Sequence, residues 1–143
     1  MNRKTPRRSL PSYETQADKA NEAIAQRVLE QRGYSVFSFG RYSPCDFFIF
    51  KDGQSFFTEY KRRNHNYNTY PTVIMPEKKL RQLLSVAEKL SSKVLYVAHF
   101  NDGVYAAVVE DYYTELGGRK DRGDPRDTHR VAHININNFK QIG

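Results

Sequence analysis

Asp52 and Gly53 separate two aromatic-rich runs, 46–50 and 55–61, and this dipeptide constrains the fold more than any other feature of the chain. Two-residue hairpin loops favour Asp-Gly because both turn positions need a positive φ. Such a loop pairs its strands symmetrically, so Phe50 faces Ser55, Phe48 faces Phe57, and Asp46 faces Glu59. Side chains alternate along a strand. Asp46, Phe48, Phe57, Glu59 and Lys61 therefore share one face, and Phe47, Ile49, Phe56, Thr58 and Tyr60 share the other.

The rest of the chain supplies elements to cover that hairpin. A helix is predicted over 15–31, with Thr15 or Ser12 as N-cap and Gly33 as the stop. Its core stripe is Ala20, Ala23, Ile24 and Val28, with Glu22, Ala25 and Leu29 on a flanking stripe. Residues 34–39 alternate as a strand, 40–43 turn, and the polar stretch 64–70 reads as an exposed loop. A second helix is predicted over 76–90, with Pro76 at its first position and Leu80, Leu83, Leu84, Ala87 and Leu90 as its apolar face. Strands follow at 94–100 and 104–109 around a turn at 101–103. Residues 117–130 read as a charged loop, and 131–136 as a last edge strand. The order helix, strand, hairpin, helix, hairpin predicts an α/β fold, a single domain with a central mixed sheet flanked by helices. Its parts are a basic flexible arm at 1–12, a core at 13–116, and a charged loop with an edge strand at 117–143.

Composition narrows the function. A chain of 143 residues forms one domain. Its 23 basic against 16 acidic residues give a net charge of +7, which favours an anionic partner. The longest apolar run, 104–109, is far short of the roughly 20 residues a membrane helix needs. The basic start is not followed by an apolar stretch, so the sequence predicts no secretory signal and a cytoplasmic location. A lone cysteine, Cys45, excludes an internal disulfide and a cysteine-cluster metal site.

Two carboxylates directly opposite each other on paired strands repel, with Cβ atoms about 4.5–5.5 Å apart. A divalent cation between Asp46 and Glu59 removes that repulsion. Taken alone, Asp46 could begin a strand, and Glu59, Tyr60 and Lys61 could be a solvated edge. Their placement in aromatic-rich strands argues instead for a metal site. Oxygen donors suit Mg²⁺, which keeps several waters, with Mn²⁺ as a substitute. The expected ligands are Asp46, Glu59 and the backbone carbonyl of Tyr60, with Glu22 holding a metal-bound water or a second ion. Lys61 would orient the attacking water or stabilise charge gathering on a phosphate. His65 is a candidate helper, while His99, His129 and His133 show no ligand spacing.

At these positions the chain resembles the PD-(D/E)XK nuclease superfamily. The motif appears as Pro44, Cys45 and Asp46 in succession, then Glu59, Tyr60 and Lys61, with Glu22 on the preceding helix. Cys45 separates the motif's proline from its acid. The spacing of Glu22, Asp46 and Glu59 is similar to that of archaeal-type Holliday junction resolvases. Over residues 15–110 the resemblance implies a restriction-endonuclease-like αβββαβ core, with Glu22, Asp46, Glu59 and Lys61 catalytic. It also implies a metal-dependent endodeoxyribonuclease, possible substrates including branched recombination intermediates, and a homodimer. The second helix carries Gln82 without a Tyr four residues later, so it lacks the element of the RecB-like exonucleases.

The partner read from charge is DNA. Lys61, Arg62, Arg63, Lys78, Lys79 and Arg81 face only Glu77 as an acid within 61–81, with Tyr67 and Tyr70 interleaved. Such cations would hold the phosphate backbone without reading sequence. Arg3, Lys4, Arg7 and Arg8 make the N-terminal arm a second candidate phosphate contact, or a solvated tail. Two other functions stay open: a catalytically inactive nucleic-acid-binding module on the same fold, and a basic protein-interaction domain.

Overall fold

The computed structural model describes residues 16–39, 45–118 and 128–143. The basic arm at 1–12, the turn at 40–43, Pro44, and residues 119–127 of the predicted charged loop lie outside the described residues. The elements run α1 (Gln16–Gln31), β1 (Ser35–Ser38), β2 (Phe47–Lys51), β3 (Gln54–Arg62), β4 (Thr72–Pro76), α2 (Glu77–Lys89), β5 (Lys93–Phe100), β6 (Gly103–Val108), β7 (Tyr113–Gly118), β8 (Thr128–Asn135), a 3₁₀ turn (Ile136–Asn138) and β9 (Lys140–Gln141). Among the described residues no helix is long and apolar enough to cross a membrane.

The first hairpin forms in the expected register, with Phe48 opposite Phe57 and Phe50 opposite Ser55. Asp52 and Gly53 adopt φ of 51° and 80°, the two positive values a primed turn requires. This hairpin is the middle of a mixed six-stranded sheet in the order β1-β2-β3-β5-β6-β9. Its one parallel pair joins β3 to β5, with Glu59 beside Tyr96 and Lys61 beside Ala98. Parallel neighbours need a crossover connection, and β4 with α2 provides it.

Each face of the sheet carries its own core. Ala25 and Leu29 of α1 pack with Phe47, Ile49, Phe56, Tyr60, Leu95 and Val97 on one side. On the other, Leu80, Leu83 and Ala87 of α2 pack with Val94, Tyr96, Ala98 and Phe100. Val73, Met75, Ala132 and Ile134 join this second core from an antiparallel three-stranded sheet in the order β4-β8-β7.

Several expectations are corrected. The buried line of α1 is Ala25 and Leu29, with Glu22 half-buried one turn away, while Ala20 and Ala23 are exposed. The stripe expected at the flank is therefore the one facing the core. Pro76 closes β4 and caps α2 instead of opening it, and Leu90 at the other end is 62% exposed. Residues 72–75, unassigned from sequence, form β4 together with Pro76. Val131 to Ile134 are not at an edge: β8 is the central strand of its sheet. Residues 117–118 and 128–130, expected in the charged loop, extend β7 and β8. Residues 131–139 thus join the core, with Ala132, Ile134 and Phe139 buried in it. In the six-stranded sheet, β9 pairs with β6 through Tyr105 and Ala106, so β6 has a neighbour on each side.

Candidate active site

Asp46 stands one residue before β2, and its backbone N–H donates to Thr58 O at 3.1 Å. Its side chain then does what a strand carbonyl would do: Oδ2 accepts from Tyr60 N–H at 2.8 Å. One carboxylate oxygen is thereby committed to the β2–β3 ladder, which fixes the direction of the other.

Glu59 is nearly buried, at 9% exposure. Its Oε2 receives the Lys79 ammonium from α2 at 2.9 Å. Its Oε1 is buried with no hydrogen-bond partner. Burial, and then the Asp46 charge, push the Glu59 carboxyl up to about 7 against the opposing charges of Lys79 and Lys61. Burial also raises Asp46, while the Tyr60 N–H and the two lysines pull it down. Lys61 continues the same face of β3 with an exposed side chain. The structure thus brings together Asp46, Glu59, Lys61 and Lys79.

Glu22 is not in that group. It sits on α1, which packs against the opposite face of the sheet, where Tyr60 points. The Glu22 charge acts there on Tyr60, whose phenol is raised above its ordinary range chiefly by burial. Tyr60 Oη and His99 Nδ1 are 2.9 Å apart, and burial lowers His99. Among the described residues no three His, Cys, Asp or Glu side chains converge as a metal-ligating group. Cys45 is buried, with Sγ 3.1 Å from Phe47 O and 3.3 Å from Thr58 O, and burial pushes its thiol to about 11. A thiol so far from ionisation is no nucleophile.

The basic residues divide. Arg62 donates to the carbonyls of Arg63 and His99 and, at 2.7 Å, to Asn101 Oδ1. Arg63 Nη2 donates to Ile74 O at 2.6 Å and Tyr96 Oη at 2.8 Å, tying β3 to β4 and β5. Arg81 pairs with Glu77 at 3.0 Å. Lys78 is exposed. Arg3, Lys4, Arg7 and Arg8 lie outside the described residues. His65 is away from the acid pair, edge-on to Tyr70 at 4.9 Å.

Sequence reasoning missed Lys79 as the partner of Glu59. Twenty residues separate the two, and only the docking of α2 on β3 joins them. It also missed the group around His133, whose Nδ1 is 2.7 Å from Thr72 Oγ1 on the neighbouring strand.

A search of curated proteins finds no match to the chain. Among solved structures, it is similar to Archaeoglobus fulgidus Hjc, a Holliday junction resolvase from an archaeal hyperthermophile. The two are 12% identical with a TM-score of 0.56, over 82% of this chain and 95% of that one. At that identity the likeness is one of fold. The family described as "Phage putative PDDEXK endonuclease" matches residues 8–142. That match spans the acid pair, both helices and both sheets, and the chain belongs to this PD-(D/E)XK endonuclease family.

Proposed function

We propose that the chain is a Mg²⁺-dependent endodeoxyribonuclease, with Mn²⁺ able to substitute, that hydrolyses phosphodiester bonds at the Asp46–Glu59 pair. The observation that carries this is Glu59 Oε1, a buried carboxylate oxygen without a donor beside a second carboxylate. Such an oxygen needs a proton or a cation. Carboxylates with no nitrogen or sulfur donor among them suit a hard ion that keeps its waters. Asp46 and Glu59 would hold it, with the Tyr60 carbonyl as the third protein ligand. A divalent cation there supplies charge stabilisation to a phosphoryl oxygen and lowers the pKa of bound water.

The chain's own residues supply the rest. The Tyr60 N–H fixes Asp46, and Lys79 holds Glu59 in place. Lys61 orients the attacking water or meets the developing phosphate charge. Glu22 acts from the far side of β3, and its contribution is smaller. Lys78 and the arm residues Arg3, Lys4, Arg7 and Arg8 contact phosphates, while Arg62 and Arg63 shape the surface that DNA meets. Likeness to a junction resolvase in fold supports a branched substrate. Symmetric cutting of a four-way junction needs two sites, and the described residues carry one acid pair, so the working form is a homodimer.

A cleavage panel tests this: four-way junction, flap, linear duplex and single strand, each with Mg²⁺ and with chelator, using wild type and Asp46→Asn. Metal-dependent cutting of the junction by wild type alone is expected. Binding without cutting under every condition would leave the inactive binding module instead.

A further inference from the structure

Beyond the acid pair, the structure holds a cavity of about 450 Å³ between the 64–71 loop and the three-stranded sheet. That volume lies within the roughly 300–1,000 Å³ typical of small-ligand pockets. Its walls are aromatic on two sides. On one, Tyr113 and His133 are stacked parallel, with centroids 4.7 Å apart and planes within 1°. On the other, Tyr70 meets His65 edge to face. Tyr113 and Tyr70 are 55% and 57% exposed.

The rings are held. Thr72 Oγ1 lies 2.7 Å from His133 Nδ1, and the Glu115 carboxylate lies 2.7 Å from Nε2 without the geometry of a hydrogen bond. His65 packs on the buried Phe100 ring at 5.5 Å and donates from Nδ1 to Asn66 O at 3.0 Å. Arg63 forms one end of the cavity, anchored to Ile74 O and Tyr96 Oη, with its Nε buried and without an acceptor. A core needs none of this. Exposed tyrosines over restrained imidazoles, with a guanidinium at the end, form a flat apolar slot with polar edges.

The Arg63 end of the slot continues the strand that carries Glu59. Glu59, Lys61 and Arg63 follow one another along one side of β3 and its continuation, the side on which α2 and the three-stranded sheet pack. Four residues of strand span roughly 13 Å, about four nucleotides at the duplex rise of about 3.4 Å per step.

We propose that this cavity is a receptor for one unpaired nucleobase of the nucleic acid being cut. The inference rests on the nuclease reading and adds to it a preference for substrates with an unstacked base near the scissile phosphate. A base fits what the walls offer. Its face stacks on the outer side of the Tyr113 ring, which His133 backs, and its edge meets the His65 imidazole and the Arg63 guanidinium. Aromatic stacking of this kind is worth about 1–3 kcal/mol per base and tolerates any base identity. A paired base cannot enter, because its face is covered by its neighbours in the duplex.

The test is equilibrium binding in chelator with two duplex probes. Each carries 2-aminopurine, in one fully paired and in the other extruded as a single-base bulge. Wild type should prefer the bulged probe and quench its fluorescence. Tyr113→Ala should lower that preference by roughly five- to 160-fold. Tyr113→Phe, which keeps the ring, should restore it, and this separates lost stacking from lost fold. Equal binding of the two probes by wild type, or a preference unaltered in Tyr113→Ala, would overturn the base receptor while leaving the nuclease reading intact. Binding of neither probe, together with no cleavage of any substrate in the panel above, would overturn both.

Discussion

Lys79 Nζ lies 2.9 Å from Glu59 Oε2, so a cation from α2 already occupies one oxygen of the acid pair. A charged carboxylate this buried needs a counter-charge, and in the absence of metal Lys79 is the nearest one shown. A metal ion at the pair competes with it. Lys79→Met should therefore destabilise the metal-free protein by about 1–2 kcal/mol, between the values for exposed and for buried pairs. It should also enlarge the rise in melting temperature on adding Mg²⁺. Thermal melts with and without Mg²⁺ measure both, and an unchanged Mg²⁺ response would show that Lys79 and the ion do not share Glu59.

Cleavage should depend unequally on the four motif residues. Asp46→Asn, Glu59→Gln and Lys61→Ala should each lower the single-turnover rate by roughly 10²–10³-fold, the usual loss when one charge-stabilising group is removed. DNA affinity in chelator should stay near wild type. Glu22→Gln should lose less, because α1 places Glu22 across the sheet from the pair. Wild-type cutting by Asp46→Asn would put the reaction elsewhere on the molecule.

Stability should fall as pH rises. The folded Glu59 carboxyl titrates at about 7, above its ordinary 4.5. Between those values the folded state binds more protons than the unfolded one, so stability is full below about 4.5 and is lost as pH rises through about 7. The raised Asp46 carboxyl works in the same direction. The loss should be on the order of 1–3 kcal/mol in chelator. Mg²⁺ should offset it above pH 7, since metal binding displaces the proton. Urea melts at pH 5 and pH 8 check this, and Glu59→Gln should flatten the difference.

Arg63 and Lys78 should behave as different kinds of basic residue. Arg63→Ala removes bonds from β3 to Ile74 O and Tyr96 Oη and should cost about 1.5–3 kcal/mol of stability. Lys78→Ala should leave stability alone and reduce the salt slope of duplex binding by about 0.9. Paired urea melts and salt titrations of binding separate the two. A destabilised Lys78→Ala or a fully stable Arg63→Ala would reverse the assignment.

The first hairpin was legible because a two-residue Asp-Gly loop leaves no freedom of register. One dipeptide sets the register that points Asp46 at Glu59, and the structure has that register from Lys51 and Gln54 up to Phe47 and Thr58. α2 was legible from the spacing of Leu80, Leu83 and Ala87. The second sheet was not. β4 offers only Val73 and Met75 as buried residues between two prolines, too short to signal itself. β7 carries Gly117, a residue that reads as a loop, yet a Cβ there would stand 3.1 Å from Val131. Glycine is present for close strand contact, and composition cannot tell that from a turn. Lys79 and the residues around His133 were illegible for another reason: each acts through a partner brought near only by docking of distant elements.

The bond from Tyr60 N–H to Asp46 Oδ2 makes one atom serve both the fold and the proposed chemistry. An asparagine at 46 keeps a carbonyl oxygen able to accept that bond, whereas an alanine does not. Loss of cutting by an acid-to-amide exchange is therefore structurally silent, and loss by truncation opens the end of the hairpin. A lineage that gave up cleavage could keep its DNA-binding surface whole through a single such exchange. Related chains with Asn at this position would then be folded binders and not decaying enzymes.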